Sequence, residues 1–299
     1  MNITITGASG FVGQNLLKAL DEAQGVSLRT NGWQQQMLPS TSIINLIGKA
    51  HDHKGTATEQ DYYYANVELA KEVFQGFIET SASVLIHISS LAALEEFESS
   101  RPLIESDECH PVSWYGQSKR RAEEWLLAQE LPENKKLIII RPPMVHGSGD
   151  KGNLGLLYKL ISNGIPYPLA SFHNERSFIS IDNFCFFIKE IIDNHEKMMS
   201  GIYHLADDQT ISTNEIISII KHVTGKRVPN IVLPKFFVRG LAKVGDVLPI
   251  PLNTKRLKKM TSNLLVSNEK IKQALGIEKL PLTAKEGLEK TIKSFAIRE

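Results

Sequence analysis

Glycines at positions 7, 10 and 13 stand between an apolar run, Ile3 and Ile5, and a helix pattern with Phe11, Val12, Leu16, Leu17 and Leu20 on its inner face. A glycine turn at the end of a buried strand lets the backbone approach a diphosphate closely. The helix N-terminus that follows adds unpaired N–H groups and partial positive charge. The spacing is GxxGxxG, not the commoner GxGxxG. The stretch predicts a dinucleotide site, with Gly7, Gly10, Phe11, Val12 and Gly13 at the diphosphate. Glycines so placed also suit a tight turn packed on a sheet, so the rest of the chain has to decide.

Strand and helix patterns alternate through the first half. Strands are expected at 3–6, 26–29, 43–47, 84–88 and 137–140, and helices at 11–20, 63–81 and 114–129. That is the βαβ rhythm of an open parallel sheet. The fold class is therefore α/β: a Rossmann-like parallel sheet with a smaller mixed α/β substrate-binding lobe. The second half is less regular. Helices are expected at 154–161, 184–193 and from a Thr213 cap to 223. Strands are expected at 177–181 and 203–205, and two short helices follow Ser267, separated by Pro281. The expected division is a dinucleotide-binding domain at 1–150, to which 177–200 returns, and a substrate-binding lobe from 151–176 and 201–299. Ligands of open sheets sit at the carboxyl ends of strands. Ser89, Ser90, Arg141 and the residues after Ile47 fall there.

The 299 residues carry 34 basic and 33 acidic side chains, a net charge of +1, which gives no reason to expect nucleic acid. Cys109 and Cys185 form neither a disulfide framework nor a metal cluster, which fits a reducing, cytoplasmic setting. The opening strand leaves no room for a signal peptide, and the apolar stretches fall short of the ~20 residues of a membrane helix. Segment 231–250 sets Lys235, Arg239 and Lys243 among Phe236, Phe237, Leu241 and Val244. It suits peripheral contact with a membrane surface, or a helix packed over a pocket.

The chemical constellation is Tyr115 with Lys119. Four residues apart on a helix, they share a face. The ammonium is expected to lower the phenol's pKa from ~10 toward working range. Such a tyrosine can take a proton from an alcohol or give one to a ketone while a hydride moves. Ser90 ends the 84–88 strand, where its hydroxyl can hydrogen-bond the reacting oxygen. Taken singly, the pair also suits surface decoration of a helix, and Ser89-Ser90 the cap of a turn.

Together these residues, with Arg141-Pro142-Pro143, resemble the extended short-chain dehydrogenases/reductases, specifically the NAD(P)-dependent nucleotide-sugar epimerase/dehydratase family, over nearly the whole chain. The resemblance implies a cofactor diphosphate at the glycine turn, with Ile47 and Gly48 beside the cofactor. It makes Ser90, Tyr115 and Lys119 catalytic, Lys119 also touching the nicotinamide ribose. It implies substrate contacts from His51, Ser90, His146, Asn153 and Arg176, the last gripping a diphosphate, and Asp182 organising its loop. His146 stands where the family commonly has tyrosine. His51 and His53 lack the carboxylates or cysteines of a metal site, so no metal is expected. A homodimer through 63–81 and 114–129 is a further implication.

The branch that this chain resembles acts at C4 of N-acetylated hexoses carried on UDP or undecaprenyl diphosphate. A C4 epimerase working through a 4-keto intermediate is implied. An NADP-dependent 4-ketoreductase of a UDP-4-keto-6-deoxy amino sugar is the alternative, and a non-catalytic NAD(P)-binding protein the alternative of another class. A 4,6-dehydratase fits less well, because Ser90-Leu91-Ala92 replaces Thr-Asp-Glu. Two departures bear on the cofactor. Leu28-Arg29-Thr30 offers no acidic residue for the adenosine ribose, and Arg29 suits a 2′-phosphate, which tilts the choice between NAD and NADP toward NADP. About a dozen residues lie between Arg29 and Ile43, too few for the family's usual third strand and helix.

Overall fold

The computed structural model describes residues 2–50, 55–150, 152–167, 169, 171–229, 231, 233–248 and 253–297. β1 (Ile3–Thr6) is buried along its whole length and leads through Gly7 into α1 (Phe11–Ala19). β2 (Ala23–Val26) runs beside it as an edge strand, and a one-turn helix, α2 (Trp33–Met37), follows. β3 (Ser42–Asn45) pairs on the other side of β1. One long helix comes next, built from α3 (Glu59–Tyr63), a π turn (Tyr64–Glu68) and α4 (Leu69–Glu79). β4 (Val84–Ile88), α5 (Trp114–Leu127) and β5 (Lys136–Arg141) continue the alternation.

In the second half β6 (Met144–His146), α6 (Asn153–Ser162), β7 (Phe178–Ser180), α7 (Ile181–Asn194) and β8 (Gly201–His204) follow one another. Among the described residues five further helices succeed them: α8 (Thr213–Thr224), α9 (Lys235–Val244), α10 (Thr254–Thr261), α11 (Glu269–Leu275) and α12 (Ala284–Ala296). The main sheet has the order β2-β1-β3-β4-β5-β8, parallel throughout, while β6 and β7 pair in parallel as a separate ribbon.

Burial on both faces explains the near-continuous apolar strands. Ile5, Ile44, Ile86 and Ile138 pack against Leu16 of α1, Phe184 and Ile188 of α7, and Ile271 of α11. On the opposite face Ile43, Leu85, Leu137 and Ile139 pack against α2, α4 and α5 through Trp33, Phe77 and Leu126. A second core joins α6, α8, α9 and α12 through residues such as Ile161, Ile220, Val238 and Ile292.

The α/β reading holds, with local differences. β2 ends at Val26, because the Ser27 carbonyl accepts the Thr30 N–H and turns the chain before Arg29. The helix expected from 63 begins at Glu59, fixed by a capping box between Thr58 and Asp61. Ser212, not Thr213, caps α8, again in a capping box, with Glu215. Finally, β8 pairs with β5 and α11 packs beside α7, so part of the 201–299 segment completes the main sheet rather than the smaller lobe. The short span after Arg29 holds α2 alone; its Trp33 lies against Gly76, where an added Cβ would sit 3.3 Å from the indole.

Candidate active site

The three glycines do different work. Gly7 has φ +78°, and a Cβ there would lie 2.9 Å from the Leu46 carbonyl carbon. A Cβ on Gly13 would lie 2.6 Å from Ala8 Cα, so both positions are closed by the fold itself. Gly10 is different: its nearest neighbour would be the Gly7 carbonyl oxygen at 3.5 Å, and the space beyond is open. Gly10 is also the N-cap of α1, with no side-chain cap and no acidic residue in the first turn. The leading N–H groups, at Phe11 and Val12, therefore face an open, cationic helix end. The residues present fit the diphosphate of a dinucleotide. Ile47 and Gly48 follow β3 at the same sheet edge, and the Asn45 carboxamide holds the Ile47 N–H at 3.0 Å. Arg29 is exposed just beyond β2, where an adenosine ribose would lie.

Tyr115 and Lys119 stand in the first two turns of α5, whose N-terminus is fixed three times. Ser113 Oγ accepts the Gly116 N–H at 3.1 Å, and Glu96 Oε1 accepts the N–H groups of Val112 at 3.0 Å and Ser113 at 2.6 Å. Gly116 itself lies against the Ala92 carbonyl, where no side chain fits. Ala92 belongs to the turn that Ser90 caps by accepting its N–H at 3.2 Å. The Ser90 strand end and the Tyr115 helix start are thus built against each other, and Ser90 sits beside the Tyr115 phenol.

The electrostatics correct one expectation. Burial raises the Tyr115 pKa, and Glu96 adds to the rise, while Ser90 opposes it. The expected lowering by Lys119 is not what the geometry gives, because Lys119 Nζ donates to the Ile88 carbonyl at 2.8 Å. Burial brings Lys119 down to about 8, with Glu123 pulling the other way. The phenol therefore stays protonated at neutral pH, with a cationic lysine one turn away.

Several residues that sequence reasoning missed hold this arrangement. Asn66, in the π turn, accepts the Lys49 N–H at 2.8 Å and donates to the Lys49 carbonyl at 3.1 Å and to Ser118 Oγ at 2.8 Å. It ties the loop after β3 to α5 beside Lys119, and Gly48 is small where that loop crosses the Lys119 ammonium. Glu123 accepts from Ser89 Oγ at 2.5 Å and pairs with Arg141. Its i+4 spacing from Lys119 was the one available signal. Thr6, Asn45 and His87 occupy one register line across β1, β3 and β4, and their side chains form a buried chain of hydrogen bonds.

The remaining residues divide. His51 lies outside the described residues. Asn153 is the first residue of α6, and its side chain lies outside them too. Arg176 is half-buried. Its Nη1 donates to the carbonyls of Lys259 and Ser262, both at 3.1 Å, and burial lowers it to about 10, so it remains cationic. Asp182 pairs with Lys290 of α12. His146 is 1 % exposed; its Nδ1 pairs with Thr291 Oγ1 at 2.9 Å, and its ring meets Phe178 edge-on. It is a core histidine joining β6 to α12, which corrects the expectation that it lines the pocket. Among the described residues no group of His, Cys, Asp and Glu could hold a metal ion.

A doubly covered parallel sheet, a glycine turn at β1 and a Ser–Tyr–Lys set at the carboxyl edge define an NAD(P)-dependent enzyme of the dehydrogenase type. Residues 3–206 match the NAD dependent epimerase/dehydratase family, and the chain belongs to it. The chain is 27 % identical to the UDP-glucose 4-epimerase of Vibrio cholerae, over 98 % of this chain and 95 % of that one. It is also 27 % identical to the N-acetyl-alpha-D-glucosaminyl-diphospho-ditrans,octacis-undecaprenol 4-epimerase of Escherichia coli O157:H7, over 78 % and 75 %. Its fold superposes on the UDP-glucuronic acid 4-epimerase of Bacillus cereus, solved with UDP-glucuronic acid and NAD, with a TM-score of 0.78, 16 % identity and full coverage of both chains. Among the described residues no helix is long and apolar enough to cross a membrane.

Proposed function

We propose that this protein inverts C4 of an (N-acetyl)hexose carried on a nucleoside diphosphate or a polyprenyl diphosphate, through a 4-keto intermediate. The observation that carries the reading is the meeting of Ser90, Tyr115 and Lys119 beyond β4, at the same carboxyl edge of the parallel sheet as the open glycine turn at Gly10. A bound nicotinamide supplies the acceptor, and then the donor, of the C4 hydride. Tyr115 takes the C4 hydroxyl proton as the carbonyl forms, its own phenolic proton passing to solvent, and gives a proton back when the other face of the ketone is reduced, solvent then reprotonating the phenol. Ser90 hydrogen-bonds the reacting oxygen in both directions. Lys119, whose ammonium is held at the Ile88 carbonyl one turn from the phenol, is the group suited to the nicotinamide ribose hydroxyls. Arg176 is the group suited to the sugar-bearing diphosphate. The names of both 27 % relatives support a C4 reaction, one on a UDP-sugar and one on a polyprenyl carrier.

The test is incubation with NAD and a UDP-N-acetylhexosamine, with the C4 configuration followed by proton NMR. Inversion is expected; an unchanged spectrum with both nucleotide and polyprenyl substrates overturns the reading.

Arg29 favours a second reading, an NADP-dependent 4-ketoreductase. It is exposed at the end of β2, with no acidic residue among the three that follow that strand. Stoichiometric NADPH oxidation with UDP-4-keto-6-deoxy-N-acetylglucosamine would establish that alternative.

A further inference from the structure

Among the described residues of α9, Val238 and Ala242 are the two buried in the second core, and Lys235 lies over the Phe172 ring at its edge. At about 100° per residue its other apolar side chains, Phe236, Phe237, Leu241 and Val244, fall in one arc, and all four are exposed, Phe236 to 78 %. The turn after α9 adds Val247 and Leu248, 85 % and 54 % exposed. Single apolar residues on a surface are ordinary, but a contiguous set of large ones marks a contact.

A basic row borders this arc. Lys235, Arg239 and Lys243 are spaced i, i+4, i+8 and run down the helix beside Phe236. Among the described residues none of the three pairs with a carboxylate, whereas Lys258 and Lys259 of α10 are bound to Glu98 and Glu96. Positions 235–259 contain seven of the chain's 34 basic residues and one of its 33 acidic ones, so this stretch is +6 and the remainder of the chain −5. The charge is concentrated where the apolar side chains are exposed.

We propose that this face docks the protein on an anionic lipid bilayer. α9 lies in the plane of the interface, its apolar arc reaching ~5–10 Å into the headgroup–acyl boundary and its basic row among the phosphates. Charge complementarity selects this occupant. A second copy seated on the same face by a two-fold axis would bring one basic row against the other. The docked face adjoins the candidate site, since α10 packs on α9 and its C-terminal carbonyls hold Arg176. Docking does not depend on which sugar or carrier the enzyme uses.

The experiment is flotation of the full chain with vesicles of phosphatidylcholine, or of phosphatidylcholine and phosphatidylglycerol in equal parts. Recovery with the anionic vesicles is expected to be about tenfold higher, and to fall at ~1 M salt, where the screening length is ~3 Å. Phe236→Ser with Phe237→Ser, and separately Lys235→Gln with Arg239→Gln and Lys243→Gln, should each reduce recovery by about tenfold. Unchanged far-UV dichroism and melting identify the variants that remain folded. Equal recovery with both vesicle types, or recovery indifferent to the substitutions, overturns the proposal. So does a wild-type solution mass that falls on the Phe236/Phe237 substitution, which would make this face an interface between copies.

Discussion

Glu123 grips Arg141 with both carboxylate oxygens, Nε to Oε1 at 2.9 Å and Nη2 to Oε2 at 2.6 Å, and neither side chain is exposed to solvent. The pair joins α5, which carries Tyr115 and Lys119, to the end of β5. Ser89, next to Ser90, donates to the same carboxylate. Removing one member leaves the other charge buried and uncompensated. Glu123→Ala should therefore cost about 3–5 kcal/mol in urea unfolding. Glu123→Leu combined with Arg141→Met should recover much of that loss, because the guanidinium that Glu123 balances is removed with it. A double variant as unstable as Glu123→Ala would show that the shape of the pair, not its charge balance, matters.

Tyr115→Phe removes the proton donor and acceptor but no apolar contact. Turnover should fall ~10²–10⁴-fold, with cofactor binding nearly unchanged, as read by nucleotide titration of protein fluorescence. Equal turnover in the variant would place the proton on another group. A loss of cofactor affinity of the same size would make Tyr115 a binding residue instead.

The glycine turn allows a sharper separation of folding from binding. A Cβ at Gly10 meets open space, whereas one at Gly13 meets the Ala8 backbone. Gly10→Val should melt near the wild-type temperature and lose cofactor binding. Gly13→Val should lose stability first, by about 1–3 kcal/mol or more for the forced backbone shift. If Gly10→Val binds the nucleotide as the wild type does, the diphosphate lies elsewhere.

The order of strands and helices was legible because burial on both sheet faces writes itself as apolar runs of strand length, as at 84–88 and 136–141. The Ser90, Tyr115 and Lys119 set was legible for a related reason: helix spacing and strand ends are local properties. Asn66 and Glu96 were not, because their role is made of contacts 16 to 52 residues away along the chain, which no local pattern announces. His146 was expected at the pocket because it stands where the family commonly has tyrosine. In the fold, β6 turns it away from the sheet edge toward α12, where Thr291 meets it. The upward shift at Tyr115 was equally hidden: the i, i+4 spacing puts Lys119 on the right face, but the side chain reaches the Ile88 carbonyl instead.

Arg29 offers a test of cofactor choice that leaves the catalytic set untouched. Its side chain is exposed, so Arg29→Asp should not alter stability measurably. The substitution replaces a partner for a 2′-phosphate with one for ribose hydroxyls. The affinity for NADP should fall about tenfold or more relative to NAD, since a charge-assisted hydrogen bond is worth ~1.5–3 kcal/mol. Calorimetric titration of both nucleotides checks this, and an unchanged ratio would remove Arg29 from the adenosine end of the site.

His146 makes the fold acid-sensitive in a predictable window. Burial lowers its imidazole to about 4, Asp182 pulling slightly upward, while the unfolded chain titrates near 6.5. Between those values the unfolded chain holds a proton that the folded protein refuses. Stability is therefore intact above pH ~6.5 and is lost as pH falls toward 4, on the order of 3 kcal/mol when the loss is complete. His204, lowered to about 3 by burial and by Arg141, acts in the same direction. Asp207, raised to about 6 by burial, acts in the opposite direction and gives back stability as it protonates. The telling quantity is thus the difference between variant and parent. His146→Asn should lower the urea midpoint at pH 7.5, through the lost ring packing on Phe178, yet lose less on moving to pH 4.5 than the parent does. If both lose the same amount, the acid sensitivity belongs to His204 and to other groups, and His146 contributes packing alone.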